Sequence, residues 1–298
     1  MTTESTVTPV TLASPTSAEL QAMAVTLEAS GEYRVLRKLK PRTTILPADG
    51  SPTRRGLFVD VETTGLDVAR DEIIELAMVP FTYGLDGRIF EVLPSFHSFR
   101  EPSLPISEEI MALTGITGEM VAGKTIDSTE VAAFVTGSAL VVAHNANFDR
   151  RFLERLNDTF SVLPWACSMT QIDWAAEGYE GTKLAYLASA AGFFYDRHRA
   201  SNDCVAAIEL LASILPVAGV PAMARLLERA RRPTWRVWAE NSPFDLKDTL
   251  KARGYRWNAD GNASPRAWYI DVEQDRLEGT PPGWAALPGY YRVAKLRS

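Results

Sequence analysis

The chain contains little of what marks several common protein classes. Its 298 residues include two cysteines and three histidines, too few for a disulfide framework or for a zinc site built on repeated Cys and His spacings. Its longest mainly apolar run, the 15 residues 210–224, is too short to span a bilayer. That run is also interrupted by Pro216 and Pro221. The N-terminal residues lack the basic and apolar regions of a signal peptide. We therefore expect a cytoplasmic protein with reduced thiols and no membrane association.

Positive charge is also scarce over the chain as a whole. The 31 Lys and Arg residues stand against 37 Asp and Glu, a net charge of −6, which excludes a uniformly basic coat for nucleic acid. The balance is uneven, however. Residues 1–224 hold 17 basic and 28 acidic side chains, or −11, whereas 225–298 hold 14 and 9, or +5. This asymmetry predicts a C-terminal segment with a role of its own.

Hydrophobic residues make up 46% of the chain, enough for a sizeable core, and the length predicts about two domains. Residues 1–55 are predicted to form a disordered leader, a short helix and a linker rich in proline and glycine. Residues 56–232 are predicted to form one α/β domain with a mixed sheet flanked by helices. Residues 233–298 hold five of the seven tryptophans and are predicted to form a small α+β module.

Within the α/β domain, strands precede a part in which helices and strands alternate. The apolar patterns predict strands over 56–61, 72–83, 88–98 and 139–143, and helices over 106–113, 128–136, 148–156 and 202–215.

The first predicted strand carries two carboxylates on one face. Side chains alternate along a strand, so Asp60 and Glu62 point one way while Val59 and Val61 point the other. A solvated strand face would explain such acids, but the apolar residues around them indicate a strand that is buried on both sides. A buried pair of carboxylates favours a divalent cation.

Two further acids occur where helices are predicted to begin. Asn147 is a plausible N-cap residue that would place Asp149 in the first turn of its helix. Ser201 would in the same way place Asp203 in the first turn of the last helix. His198 precedes the last acid by five residues. Each acid alone would be explained by the helix dipole, and a lone histidine is more often structural. Together, however, these segments all end strands or begin helices, where α/β sites are assembled.

These motifs resemble those of the DEDDh 3′–5′ exonucleases, the DnaQ-like family that includes the epsilon proofreading subunit of bacterial DNA polymerase III, ribonuclease T and oligoribonuclease. The resemblance covers residues 56–215 and implies a ribonuclease H-like fold. The matching residues are Asp60, Glu62, Asp149, His198 and Asp203. The tyrosine branch of the family would need a tyrosine four residues before the last acid, and Arg199 stands there instead.

The resemblance also implies the chemistry of the site. It implies two Mg²⁺ or Mn²⁺ ions held by the four acids, with His198 as the general base in phosphodiester hydrolysis. It assigns substrate binding to two further groups of residues, which are Thr63, Thr64, Gly65 and Leu66, and His144, Asn145 and Phe148. For His144 and Phe148, core packing is a comparable alternative. His97 has no partner motif, and we expect it to be structural.

The expected activity is removal of nucleotides from DNA 3′ ends, with single strands as substrate and a polymerase or a replication or repair protein as partner. An exoribonuclease of the oligoribonuclease or ribonuclease T kind stays open, because these residues do not separate DNA from RNA. The other alternative is a non-catalytic module that binds nucleic acid or a polymerase. A missing carboxylate would favour that alternative, and none is missing.

The C-terminal module has two interpretations. Trp235, Trp257 and Trp268 could supply the core of a domain too small to be stable without large residues. Arginines interleaved with aromatic residues could instead form a platform for bases and phosphates. We favour the core for the tryptophans, with the arginines outermost. Those arginines are Arg236, Arg253, Arg256 and Arg266.

Overall fold

The computed structural model describes residues 15–232, 234–258, 265–273 and 291–295. Its helices are α1 (Ser17–Ala29), α2 (Glu108–Thr114), α3 (Gly118–Val121), α4 (Ser128–Val135), α5 (Ala146–Leu156), α6 (Thr159–Val162), α7 (Leu184–Ala190), α8 (Ala200–Ala212), α9 (Ala222–Ala230) and α10 (Lys247–Ala252). Its strands are β1 (Arg37–Lys38), β2 (Thr53–Thr63), β3 (Ile73–Gly84), β4 (Ile89–Val92), β5 (Phe96–Phe99), β6 (Leu140–Ala143), β7 (Trp165–Cys167), β8 (Phe193–Phe194), β9 (Thr234–Ala239), β10 (Arg256–Trp257), β11 (Trp268–Glu273) and β12 (Tyr291–Lys295).

A six-stranded sheet in the order β4-β3-β2-β6-β7 forms the centre of the α/β region, with β5 pairing beside β4 on β3. Strand β2 is antiparallel to β3 and parallel to β6, so the expected mixed sheet is confirmed. The single strand predicted over 88–98 is wrong, because β4 and β5 are separate strands that both pair with β3. Pro94 lies between them, and proline cannot donate to a strand ladder.

Two apolar cores lie on opposite faces of this sheet. Phe58 of β2 belongs to one core, whereas its neighbours Leu57 and Val59 belong to the other, as alternation along a strand requires. The first core also contains side chains of α7, α8 and α9, and the second contains side chains of α4, α5 and α6. Helices therefore cover both faces, as the sequence predicts for this region.

Two helices begin earlier than their sequences suggest. Helix α5 begins at Ala146 and α8 at Ala200, each two residues before the predicted start. The predicted N-caps Asn147 and Ser201 are therefore wrong, since both residues lie inside the first turn. The actual N-cap residues are Asn145 and Arg199, and neither makes a side-chain capping bond. Backbone geometry starts α5 instead, because Asn145 has a φ of 78°, in the left-handed region that asparagine tolerates.

The segment before β2 is tied to the α/β region. Strand β1 pairs in parallel with β8, and Arg34 donates to the backbone carbonyls of Ser189 and Ala190. Ile45 donates its N–H to the carbonyl of Phe90 and packs against the first core. Helix α1 is the short helix predicted within residues 1–55, and it contains no buried residue. Residues 1–14 of the expected leader lie outside the described residues, and the domain boundaries stay a prediction.

The C-terminal residues form a sheet in the order β10-β11-β9-β12 with antiparallel pairs throughout. A 3₁₀ turn leads into α10, and Leu250 of that helix packs with Tyr255 against the sheet. Trp268 packs on this cluster, as predicted, but Trp257 is 51% exposed, so its assignment to the core is wrong. The edge strand β10 has only two residues and leaves that ring at the surface. The pair Asp260-Gly261, which is typical of a hairpin turn, lies outside the described residues.

Among the helices of the described ranges, none has the length and apolar character needed to cross a membrane.

Candidate active site

Three of the predicted acids meet at the edge of the sheet where β2 ends. Asp60 and Glu62 lie two residues apart on β2, and Asp203 lies in the first turn of α8, which packs on β2 and β3. One carboxylate oxygen from each lies within 4.8 Å of the others. The strand supplies two acids to one face, and the helix brings the third acid to them.

Asp149 reaches the same edge from the other core. Strand β6 runs parallel to β2, so α5, which follows β6, begins beside the carboxyl end of β2. Asp149 is 2% exposed, and its Oδ1 accepts a hydrogen bond from the backbone N–H of Val61 at 3.1 Å. That bond holds Asp149 beside the strand segment between Asp60 and Glu62.

Burial is the main cause of a raised pKa in all four carboxylates, and repulsion from neighbouring acids adds to it at Asp60, Glu62 and Asp149. Burial, followed by repulsion from Asp149, Asp203 and Glu62, raises the pKa of Asp60 well above its ordinary value. Burial and the charges of nearby acids raise the pKa of Glu62 to about 8. Burial raises the pKa of Asp149 to about 7, although the Val61 N–H opposes the shift. The site therefore holds more negative charge than its surroundings compensate.

Asp203 and His198 are joined through the loop before α8. Burial raises the pKa of Asp203, while a hydrogen bond from Tyr195 and the charge of His198 oppose this shift. The Tyr195 hydroxyl donates to Asp203 Oδ1 at 2.7 Å, and the backbone N–H of Arg199 donates to Oδ2 at 3.2 Å. His198 itself has a φ of 59°, which a non-glycine residue rarely adopts. The five residues of the predicted constellation are thus brought together.

The sequence did not indicate that a fifth acid, Glu75, lies beside this cluster. Glu75 stands directly opposite Glu62 on the neighbouring strand β3 and is 0% exposed. His97, expected to be structural and without a partner motif, lies with its Nε2 2.6 Å from Glu75 Oε1. The signal for Glu75 was a single acid inside an apolar strand, and only the strand register turns that acid toward the site. Tyr195 gave no signal, because it lies eight residues before the acid that it contacts.

The donor set suits a divalent cation. The four acids offer only carboxylate oxygens, which are the ligands that Mg²⁺ and Mn²⁺ prefer. Their raised pKa values mean that ionising them together is unfavourable without added positive charge. A bound cation would relieve that repulsion, so the residues present fit a metal site.

The predicted substrate loop follows β2 directly. Thr63 is buried and donates through Oγ1 to the carbonyl of Gly65 at 2.6 Å. Thr64 donates through Oγ1 to Asp71 at 3.1 Å, and a Cβ on Gly65 would lie 2.5 Å from the same carboxylate. Leu66 is 83% exposed at the tip of this loop. Hydrogen bonds from Thr63 and Thr64 therefore fix the backbone of this loop, while the apolar side chain of Leu66 projects into solvent.

The second predicted substrate group has mixed surroundings. The His144 ring bonds Ser168 Oγ at 2.9 Å and the Thr182 carbonyl at 2.7 Å, and burial lowers its pKa. Phe148 is half-buried and packs against Phe152, with 5.0 Å between ring centres. Phe148 therefore has the packing role considered above, and His144 is held in place by hydrogen bonds. Asn145 is exposed at the left-handed turn that starts α5.

Comparison with known proteins places residues 57–211 in a family described as exonuclease, of the ribonuclease T type. The chain is similar to the PolC-type DNA polymerase III of Caldanaerobacter subterraneus subsp. tengcongensis, with 30% identity over 214 residues, 66% of this chain and 15% of that polymerase. It is also similar to the PolC-type DNA polymerase III of Bacillus subtilis, with 42% identity over 96 residues, 32% of this chain and 6% of that polymerase. The chain thus matches a small part of each relative's length.

Among solved structures, the chain is similar to exonuclease X in complex with 5′-overhanging duplex DNA. The identity is 29% and the TM-score 0.42, with 59% of this chain and 99% of that chain covered. It is also similar to E. coli exonuclease I in complex with an oligonucleotide, with 17% identity and a TM-score of 0.48, over 74% of this chain and 63% of that one.

Proposed function

The chain belongs to the DnaQ-like 3′–5′ exonuclease family, and we propose that it releases nucleotides from the 3′ ends of DNA through the carboxylate site beside β2. Family membership makes the chain a nuclease, a phosphodiester hydrolase that depends on divalent metal. The observation that supports this site most strongly is the meeting of four acids with raised pKa values at one sheet edge.

We propose that the cofactor is a pair of Mg²⁺ or Mn²⁺ ions. Their ligands would be Asp60, Glu62, Asp149 and Asp203. When bound, such ions stabilise negative charge on the reacting phosphate and make water a better nucleophile at neutral pH. The four carboxylates contribute by fixing where that positive charge lies.

His198 is the proposed general base. A neutral imidazole nitrogen of His198 accepts the proton of the attacking water, and the solvent then removes that proton from the ring. Its position beside Asp203 supports this role, because the carboxylate stabilises the imidazolium that forms. The backbone of His198 is in the left-handed region, and Arg199, the N-cap residue of α8, follows directly.

The loop Thr63–Leu66 is the proposed binding site of the 3′-terminal nucleotide. Its backbone is fixed by the Thr63 and Thr64 hydrogen bonds, and the exposed Leu66 side chain offers an apolar contact to a base. Asn145 would contribute from the turn before α5. His144 and Phe148 would line the same site while also packing against the protein.

DNA is the proposed substrate because the relatives that match this chain are DNA polymerases, and a polymerase or a replication or repair protein is the proposed partner. The acids and the histidine serve RNA cleavage equally well, so an exoribonuclease is the second candidate. A binding module without catalysis is disfavoured, since each acid that the family chemistry needs is present.

The decisive experiment uses 5′-labelled DNA and RNA oligonucleotides of one sequence, incubated with Mg²⁺, Mn²⁺ or EDTA. We expect DNA to shorten from its 3′ end one nucleotide at a time with either metal, and not with EDTA. Faster shortening of RNA would assign the activity to the second candidate. An absence of products with either substrate and either metal would contradict catalysis itself.

A further inference from the structure

Glu75 is the one acid of this neighbourhood whose charge is compensated by the protein. Its Oε1 lies 2.6 Å from His97 Nε2 and accepts from Arg199 Nη2 at 3.2 Å, while Oε2 accepts from the backbone N–H of Ala200 at 3.1 Å. Burial alone would raise the pKa of Glu75, but these contacts hold it below its ordinary value. The lowered pKa separates Glu75 from the four proposed metal ligands, whose pKa values are raised.

Two of the three partners of Glu75 are the residues that directly follow His198. Arg199 and Ala200 join the His198 loop to α8, and the Arg199 N–H also donates to Asp203. The Arg199 guanidinium lies 5.4 Å from the centre of the Phe99 ring, which adds a cation–π contact. Glu75 and its partners therefore fasten the start of α8 to β3 and β5 immediately after the proposed base.

The unfavourable backbone conformation of His198 has to be stabilised by neighbouring contacts. A φ of 59° costs free energy for a residue with a Cβ, and it persists where the surroundings impose it. Residues 199 and 200 are held by a buried carboxylate, and a buried charge paired in this way is costly to disturb. Because Arg199 and Ala200 are held, the preceding residue, His198, can place its ring in few positions.

We propose that Glu75 and His97 are positioning residues, which hold the Arg199–Ala200 start of α8 against β3 and thereby fix the His198 ring for proton transfer. This inference rests on the proposed function, in which His198 is the base. It assigns a role in catalysis to two residues that stand outside the exonuclease motifs and outside the proposed metal ligands.

The first test measures kcat and KM of full-length Glu75→Gln on a 5′-labelled single strand at saturating Mn²⁺. We expect kcat to fall about 10–100-fold with KM nearly unchanged, the size of effect that misplacing a reacting group by about 1 Å produces. The matched control is Glu209→Gln, the same change in an ion pair with Arg42 at the far end of α8, which should keep the wild-type rate.

His97 variants keep the test informative if Glu75→Gln does not fold, because the His97 side chain is partly exposed. His97→Ala should lower kcat several-fold. His97→Gln, whose amide nitrogen can occupy the place of Nε2, should restore most of it. Mn²⁺ affinity of His97→Ala, measured by calorimetry without DNA, should match the wild type. Equal rates for the wild type, His97→Ala and His97→Gln would overturn the proposal. So would a lower rate of His97→Ala that is accompanied by an equally reduced affinity for Mn²⁺.

A double-mutant cycle with His198→Ala separates this inference from the function on which it rests. If Glu75 acts through His198, then Glu75→Gln should have little further effect once the imidazole is absent, and His97→Ala likewise. Full additivity of the effects would contradict positioning through His198 and leave the proposed base intact. A His198→Ala enzyme at the wild-type rate would contradict the proposed base itself.

Discussion

Beside β2, four carboxylates share one buried neighbourhood, whereas across the C-terminal sheet arginines lie over aromatic rings. The Arg236 guanidinium is 4.2 Å from the centre of the Tyr269 ring, and that of Arg256 is 5.0 Å from the same ring. Trp238 pairs with Tyr269 across β9 and β11, with 5.2 Å between ring centres. The opposite face of this sheet carries Trp268, which packs toward α10.

The two regions differ in what completes them. Burial and then repulsion between the acids raise the pKa values of Asp60 and Glu62, so the ionised site needs a partner of opposite charge from outside the chain. The arginines already have electron-rich ring faces beside them, and such contacts stabilise a cation in place. The uncompensated carboxylates beside β2 therefore indicate a ligand. The arginines of the C-terminal sheet are consistent with packing alone. Nucleic-acid binding by the C-terminal sheet is therefore a separate prediction.

The largest effect is expected at the carboxylates. Asp60→Ala should reduce turnover by about 10³-fold or more, because removal of a preorganised electrostatic group costs about 10²–10³-fold and a metal ligand contributes at least as much. The domain should stay folded, since the change removes a mutually repelling charge. Digestion of labelled DNA with Mn²⁺ measures this, with exposed Glu130→Ala on α4 as the control. A wild-type rate for Asp60→Ala would show that the site is misassigned.

A somewhat smaller reduction is expected at the histidine. His198→Ala should lower the rate about 10²–10⁴-fold, the range that general-base catalysis contributes, while still binding Mn²⁺ and DNA. An unchanged rate in the variant would contradict the role of His198.

The C-terminal sheet should affect binding of long DNA rather than hydrolysis. We expect Arg236→Gln combined with Arg256→Gln to weaken binding of a long single strand several-fold at low salt. The slope of log affinity against log salt should become shallower by about 0.7 for each phosphate that the variant no longer neutralises. Hydrolysis of a short oligonucleotide should be unaffected. Equal affinity and salt dependence for both proteins would leave only the packing role for these arginines.

The smallest effect concerns the pH dependence of stability without metal. The pKa values of Glu62 and Asp149, about 8 and about 7 in the fold, lie above the value of about 4 expected in the unfolded chain. The folded state therefore retains protons that the unfolded state releases, and this stabilisation is lost as the pH rises from about 4 through 8.

Tm measured in EDTA should thus be a few degrees lower at about pH 8.5 than at about pH 5.5. Mn²⁺ should raise Tm more at the higher pH, and Glu62→Gln should reduce the difference between the two pH values. A Tm in EDTA that is equal at both values would show that the charge beside β2 is compensated within the protein.

The local pattern indicated that Asp60, Glu62, Asp149 and Asp203 lie at strand ends and helix starts, and the resemblance to the DEDDh exonucleases implied that they form one site. The caps were mispredicted, since Asn147 and Ser201 have the right chemistry for caps while the backbone turns two residues earlier. Glu75 could not be assigned from its own segment. Its pairing with Glu62, His97 and Arg199 depends on strand register and on residues up to 124 positions away.

The hydrogen bond from Val61 to Asp149 bears on the choice of an inactive form for trapping bound DNA. Strand β6 pairs with β2 only over residues 56–58, so Asp149 accepts the Val61 N–H where that pairing has ended. Replacing Asp149 with alanine would leave a buried backbone donor without its acceptor, which costs roughly 1–3 kcal/mol. Reduced activity would then be mixed with reduced stability. Asp60, which repels its neighbours, offers the cleaner catalytically dead protein for co-crystallisation.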